Sequence, residues 1–397
     1  MKARTLTGMA LGLALALALS MVAPGGGGRA GAADGLKIGV CLRITGEIGY
    51  KLRQTVEKAF DDINKAGGIN GRNVQLIIYD EASSPATATD AINRLIHNDN
   101  VLLVMGPTTS SSALATIGLG DRARCVLITP QASNTQLTHQ RSEWFFRMAV
   151  ADVYHAHTLA DYLAGDRGFK RFGVVYETEA LGVGQSKDFI DRLKAKWNVE
   201  PLLVEKFSLG DIDFKSQMLK VKEANPEVVV MAGHEVEMAR AISQAYDVGL
   251  SRDIVKGGFS SMSSNEYFAT AGNAATGSIF VTTFSPNNPD PRIQAFVKDY
   301  EATLGTPPDH NHAQAYDAVQ IIAMALKQAD IQNTAASLAK DRENIRDALG
   351  TIKDHKGLSG VCSFGPNPTP EDRDGMKQSS VWQLKSDGSF DLLKAAE

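Results

Sequence analysis

The chain has 397 residues, 43% of them hydrophobic and 22% charged, enough apolar material for the cores of about two to three ordinary domains and too much for global disorder. Its 41 Lys and Arg against 45 Asp and Glu leave a net charge of −4 and no basic field able to neutralise several phosphates, so no nucleic-acid partner is expected. Three cysteines, without CxxC or Cys/His spacing, exclude a disulfide scaffold and a zinc site.

In chain order, residues 1–33 combine Lys2 and Arg4, an apolar run from Met9 to Val22, a Gly-rich stretch and the small triplet Ala30-Gly31-Ala32. This tripartite pattern predicts a secretory signal peptide cleaved near Ala32/Ala33. The apolar run, about 14 residues, falls short of the roughly 20 that a spanning helix needs. Its removal would take away Lys2, Arg4 and Arg29 and no acid, leaving 38 basic and 45 acidic residues. Export would place Cys41, Cys125 and Cys362 where disulfides persist. Each sits in or beside an apolar run, so buried free thiols are expected, with a Cys41–Cys125 bridge open only if their strands adjoin.

From Leu36 the pattern alternates. Apolar strand-like runs at 37–41, 74–79, 101–105 and 125–129 are separated by helical spacing at 55–66 and 86–98. The alternation restarts with runs at 172–176, 200–205, 228–231 and 254–255, separated by helices at 186–197, 214–224 and 237–248. Continuously apolar strands alternating with helices predict parallel sheets covered on both faces. Two consecutive units of this kind read as two similar doubly wound α/β lobes.

Ligands in such sheets bind beyond the carboxyl ends of the strands. Three of those junctions are small and polar: Arg43-Ile44-Thr45-Gly46-Glu47, Gly106-Pro107-Thr108-Thr109-Ser110-Ser111-Ser112, and Pro130-Gln131-Ala132-Ser133-Asn134. A serine cluster at a helix start offers hydroxyls, free N–H groups and the positive end of the helix dipole, which suits a carboxylate. The other reading is that Ser110 or Ser112 only caps its own helix.

With Ile38-Gly39-Val40, Thr45-Gly46, Asp62-Ile63-Asn64-Lys65-Ala66-Gly67-Gly68-Ile69-Asn70-Gly71, Gly106-Pro107, Thr129-Pro130, Phe146-Arg147, Leu181-Gly182-Val183-Gly184 and Tyr316-Asp317-Ala318-Val319, the chain resembles the leucine/isoleucine/valine-binding proteins. These are type I periplasmic receptors of ABC importers. The resemblance implies two lobes joined by three crossover segments, with lobe one at 36–151 plus 282–358 and lobe two at 152–281 plus 359–397. It also implies a monomer in the periplasm that takes no cofactor or metal, closes on a small carboxylate-bearing ligand and delivers it to a membrane permease.

Carried over residue by residue, the resemblance places carboxylate-binding hydroxyls at Ser110 and Ser133, in a cluster with Ser111, and a backbone contribution near Gln131. It places a lobe-two acid at Asp152. Where the family has a tyrosine before Gly-x-Gly this chain has Leu181, where another tyrosine follows a strand it has His234, and the glutamate that receives an amino-acid ammonium becomes Phe259. A buried ammonium without an anionic partner costs several kcal/mol, so these changes argue against a free α-amino acid unless Asp152, Glu235 or Glu47 takes the missing role, and they put an organic acid with an apolar or aromatic body at least level with leucine or valine as the expected ligand. Arg43 would pair with the carboxylate, and Leu181 and Phe259 would form an apolar wall.

Other groups read as structural. His155 and His157 lie two apart on a helix start and point apart, which predicts a solvated surface; His310 and His312 read as a polar loop, and the Tyr79-Asp80-Glu81 acids as surface or capping groups. Gly182-x-Gly184 lacks the third glycine and downstream acid of a dinucleotide site. An exported enzyme is the weaker class, since no Gly-x-Ser-x-Gly, His-Glu-x-x-His or Ser-x-x-Lys pattern is present. A ligand sensor feeding a signalling partner would use the same closure as a receptor.

Overall fold

The computed structural model describes residues 35–396, and the expected signal segment lies outside them. β1 (Leu36–Leu42), α1 (Gly46–Lys65), β2 (Val74–Asp80), α2 (Pro85–Asn93), β3 (Leu103–Met105), α3 (Ser110–Ala123), β4 (Leu127–Thr129), α4 (Gln136–His139) and β5 (Phe145–Arg147) form a first unit. Its strands are all parallel, in the order β2-β1-β3-β4-β5. The two faces of β1 explain its composition. Ile38, Val40 and Leu42 pack with Leu52, Val56 and Phe60 of α1, while Cys41 packs on the opposite face with Ala88, Leu95 and Ile117. A strand covered on both faces carries apolar residues in succession.

The alternation restarts through α5 (Asp152–Ala160), β6 (Phe172–Glu177), α6 (Ala180–Trp197), β7 (Leu203–Phe207), α7 (Lys215–Ala224), β8 (Val228–Ala232), α8 (Glu235–Asp247), β9 (Val255–Gly258), α9 (Asn265–Ala271) and β10 (Ile279–Thr282). The order β7-β6-β8-β9-β10 repeats the first sheet strand for strand. The chain then returns to the first sheet with α10 (Pro291–Leu304), α11 (His310–Gln328) and α12 (Leu338–Leu349), α11 laying Ala318, Ile321, Ile322 and Ala325 into its core. After the hairpin β11 (His355–Lys356) and β12 (Val361–Cys362) and the short α13 (Pro370–Arg373), strands β13 (Ser380–Leu384) and β14 (Phe390–Lys394) extend the second sheet beyond β10, antiparallel.

The fold is therefore α/β with two doubly wound lobes, between which the chain passes after β5, after β10 and before β13. The last passage lies later than the expected 358/359. Cys362, Phe364 and Met376 belong to the first sheet's core, and Phe364 meets Phe146 edge-on at 5.2 Å. Asp317 of α11 also accepts from the backbone N–H groups of Leu358 and Ser359, both at 2.8 Å. β7 starts at Leu203 rather than 200, an edge strand whose side chains alternate between half-buried and exposed.

All three cysteines are buried free thiols. β3 lies between β1 and β4, so the strands carrying Cys41 and leading from Cys125 do not adjoin. Burial raises the thiol of Cys125 to about 11 and that of Cys362 to about 12.

Candidate ligand cleft

In a doubly wound sheet the crevice opens where the strand order reverses, at the carboxyl ends of the two diverging strands. Here those points are β1/β3 in the first lobe and β6/β8 in the second, and their ends face a shared cavity of about 70 Å3. At about 10–15 Å3 for each water, it has room for a handful of waters. Arg43 enters from the end of β1, Thr108, Thr109 and Ser110 from the β3–α3 junction, and Gln131 to Ser133 from the loop after β4. The second lobe supplies Leu181 from α6, His234 and Glu235 after β8, and Ser260 and Ser261 after β9. Leu52, Ala149 and Val150 give apolar wall, and His310, Asn311 and Gln314 come from the start of α11.

Glu81, fully buried, organises the β3–α3 junction. It accepts from Thr108 Oγ1 at 2.5 Å and Thr109 N–H at 3.0 Å, and Thr108 Oγ1 accepts from the Arg43 N–H at 2.8 Å. Burial raises the Glu81 pKa against the pull of these hydrogen bonds and of Arg43. Gly106 belongs to this junction for a steric reason: its φ is +124°, and a Cβ there would sit 1.9 Å from the Cys41 carbonyl oxygen. The loop after β4 is held by Arg147, whose side chain is completely buried. Arg147 Nη1 donates to the carbonyls of Ser133 (2.9 Å) and Asn134 (2.7 Å), Nη2 donates to Thr138 Oγ1 (3.1 Å), and Nε donates to Asp374 Oδ1 (2.9 Å).

Across the cavity Arg43 Nη2 meets Glu235 Oε1 at 3.1 Å. Burial works against both charges, but the pair prevails: the Arg43 pKa is raised, chiefly by Glu235, and Arg43 with His234 holds Glu235 below the usual carboxylate range. His234 Nδ1 lies 2.8 and 2.9 Å from the two Glu177 oxygens, and this carboxylate raises the imidazole pKa in spite of burial. Further bonds tie the lobes together: Ser111 Oγ donates to Glu179 Oε2 (2.6 Å), Asn134 Nδ2 to the Ala180 carbonyl (2.6 Å) and Thr135 Oγ1 to Asp188 Oδ2 (2.6 Å).

The sequence model of the family described as periplasmic binding protein matches residues 35–389. The chain belongs to that family. Its relatives include a Leu/Ile/Val-binding protein homolog of Brucella melitensis, 28% identical over 80% of this chain and 86% of that one. A leucine-specific-binding protein of Salmonella typhimurium is 26% identical over 91% and 94%. Among solved structures, an isoleucine-bound branched-chain amino acid transporter substrate-binding protein of Streptococcus pneumoniae superposes with a TM-score of 0.79 at 24% identity, over 91% of this chain and 99% of that one. A benzoate-bound solute-binding protein of an ABC transporter from R. palustris gives 0.79 at 20% identity, over 91% and 97%. At these identities the structures share the type I periplasmic binding protein fold.

Within this periplasmic binding protein, six of the nine candidate residues line the cavity: Arg43, Ser110, Gln131, Ser133, Leu181 and His234. Ser110 is more than a cap, since its Oγ accepts from the Asn134 N–H at 3.3 Å and the N-cap of α3 is Thr109. Gln131 Nε2 is engaged with Asn311 Oδ1 at 2.9 Å.

The other three stand elsewhere. Ser111 faces Glu179 and Ala180 instead of the cavity. Phe259 is buried in the second sheet's core, and the turn after it presents Ser260 and Ser261 to the cavity in its place. Asp152 lies behind Ser133, completely buried; Ser133 and Gln185 are near enough to temper its charge, yet neither carboxylate oxygen has a hydrogen bond of ordinary geometry, and desolvation pushes its pKa up to about 7.

Three groups read as surface are interior. His155 is buried and lines the cavity, because the first turn of α5 is covered by the opposite lobe. His310 and His312 open α11 behind the Asp309 N-cap, with His312 Nδ1 2.7 Å from Asp309 Oδ1 and 3.1 Å from the Asp309 backbone nitrogen. Glu81 supports the loop described above. None of the three carries a local sequence signal, since what buries them is tertiary.

Proposed function

We propose that this chain is the exported receptor of an ABC importer, closing its two lobes around a small carboxylate-bearing ligand and presenting the closed form to a membrane permease. The observation that carries the reading is the cavity at the paired switch points, where the Ser110 and Ser133 hydroxyls and the first turn of a 14-residue helix converge. Buried hydroxyls and helix N-terminal N–H groups stabilise a carboxylate without a counter-charge. Leu52, Leu181, Ala149 and Val150 offer an apolar surface for the rest of the molecule. Residues 1–33 would supply the export address to the periplasm, where the receptor would act as a monomer.

The charge pattern favours an organic acid over a free amino acid. Among the described residues Glu235 is the one carboxylate lining the cavity, and it already faces Arg43. An ammonium would have to displace that pairing or remain without an anion, at several kcal/mol. Hydrolytic chemistry finds no support in the cavity. Among the described residues the hydroxyl hydrogen-bonded to an imidazole, Ser263 Oγ at 3.0 Å from His310 Nδ1, is buried and bonded to the Ser260 carbonyl, outside the cavity wall.

Calorimetric titration with leucine, isoleucine, benzoate and isocaproate tests the ligand class. The expected outcome is micromolar or tighter binding of at least one acid and weaker binding of both amino acids; tight leucine binding with no response to the acids would overturn it. Deletion of the gene separates import from sensing: loss of ligand uptake is the expected result, and intact uptake with lost signalling would favour the sensor.

A further inference from the structure

The cavity wall contains a polar group that the carboxylate reading leaves unused. His155 is only 2% exposed, lines the cavity, and among the described residues no group bonds either of its ring nitrogens. Nδ1 is sealed away without a partner, whereas Nε2, equally unbonded, is not closed off in that way and is the nitrogen left for a ligand; an imidazole polar atom without a partner is unfavourable. Each other histidine of this region has at least one bonded ring nitrogen: His234 has Glu177, His310 has Ser263, and His312 has Asp309 although its Nε2 is buried without a partner.

The groups facing His155 determine what can meet it. Arg147 from β5 and His310 from α11 both oppose positive charge at this point, and with desolvation, the larger cause, they hold the imidazole neutral, its pKa lowered to about 3. The same surroundings disfavour an ammonium there and favour an oxygen that accepts the ring N–H. Asp152, one turn earlier on the same helix, is too deeply buried to line the cavity and forms no bond with the ring.

Resting on the proposal that the cleft takes a carboxylate, we infer that His155 is a specificity-determining contact and that the ligand is an oxygenated carboxylic acid, a hydroxy or keto acid whose second oxygen pairs with His155. A purely hydrocarbon body, such as the side chain of leucine or the bare ring of benzoate, leaves the imidazole unmet. Sites built to hydrogen-bond a substrate group reject analogues that lack it far more strongly than they reject a missing methylene.

The test is calorimetric titration of the full exported chain with matched pairs: benzoate against meta- and para-hydroxybenzoate, and isocaproate against ketoisocaproate. At least one oxygenated member should bind about tenfold or more tighter than its parent, as one buried hydrogen bond implies. In His155→Phe that preference should shrink to within about threefold, whereas His155→Gln, which keeps a donor, should retain part of it. The comparison within the unaltered chain stands whether or not either variant folds. Acids bound with equal affinity in each pair, or a preference unchanged in a folded His155→Phe, would overturn the inference while leaving the carboxylate reading intact. Failure of every acid to bind would overturn both.

Discussion

Burial of Asp152 couples its protonation to the stability of the folded chain. The unfolded carboxyl ionises near about 3.9, and the folded one is pushed up to about 7 by desolvation. Between those values the native state holds the extra proton, so stability falls as pH rises through the window and levels off above it. Asp152→Asn should therefore raise Tm relative to the unaltered chain at pH 8, and the gain should vanish near pH 4; a gain of equal size at both pH values would show that the carboxylate is not desolvated. Glu235 carries a second prediction, whose sign distinguishes ligand classes. Glu235→Gln removes the anion facing Arg43 and should tighten binding of an organic acid several-fold in calorimetry, whereas weaker binding would mean that Glu235 receives a ligand cation. Single residues were legible where the backbone decides the position, as at Arg43 and Ser110, which follow strand ends. They were illegible where the opposite lobe decides: His155 and Glu81 look solvent-facing in their own segments, and Phe259 turns into its own lobe.

At the scale of elements, β5 and the loop after β4 depend on one buried cation. Arg147 satisfies two loop carbonyls and Asp374 together. Removing one member of a buried pair leaves the other uncompensated, so Arg147→Met should destabilise by about 3–5 kcal/mol, read from chemical denaturation, and should weaken ligand binding because Ser133 loses its anchor. A loss below about 1 kcal/mol, the range of an exposed pair, would mean that the network is dispensable. The apolar cores of the first strands and the stripe of α1 were readable because both faces of β1 are covered and the helix repeats every three to four residues. β5, at three residues, is too short to show a period, and the edge position of β7 dilutes its pattern, which displaced its expected start. The expected passage at 358/359 failed for another reason: Cys362 and Phe364 are apolar enough for either core, and tertiary packing, Phe364 on Phe146 and Cys362 on Met148, assigns them to the first.

For the whole molecule, the polar bonds that join the two lobes around the cavity include Ser111–Glu179, Asn134–Ala180, Thr135–Asp188 and Arg43–Glu235, with Ser263–His310 and Asn265–Asp309 at the start of α11. Such contacts lower the free energy of the closed arrangement without fixing it, and a ligand shifts the balance only by binding that arrangement better. Glu179→Ala with Asp188→Ala should therefore weaken ligand affinity although neither side chain lines the cavity, and small-angle scattering of the unliganded double variant should show a larger radius of gyration than the unaltered chain. Unchanged affinity and radius would remove these bonds from the closing mechanism. The central claim is that a carboxylate is held by the hydroxyls at the first lobe's switch point. Its most direct test is calorimetric titration of the Ser110→Ala, Ser133→Ala double variant with whichever acid the unaltered chain binds best. Two lost hydrogen bonds to a charged group should cost about 2–4 kcal/mol; an affinity within twofold of the unaltered chain would contradict the placement of the carboxylate.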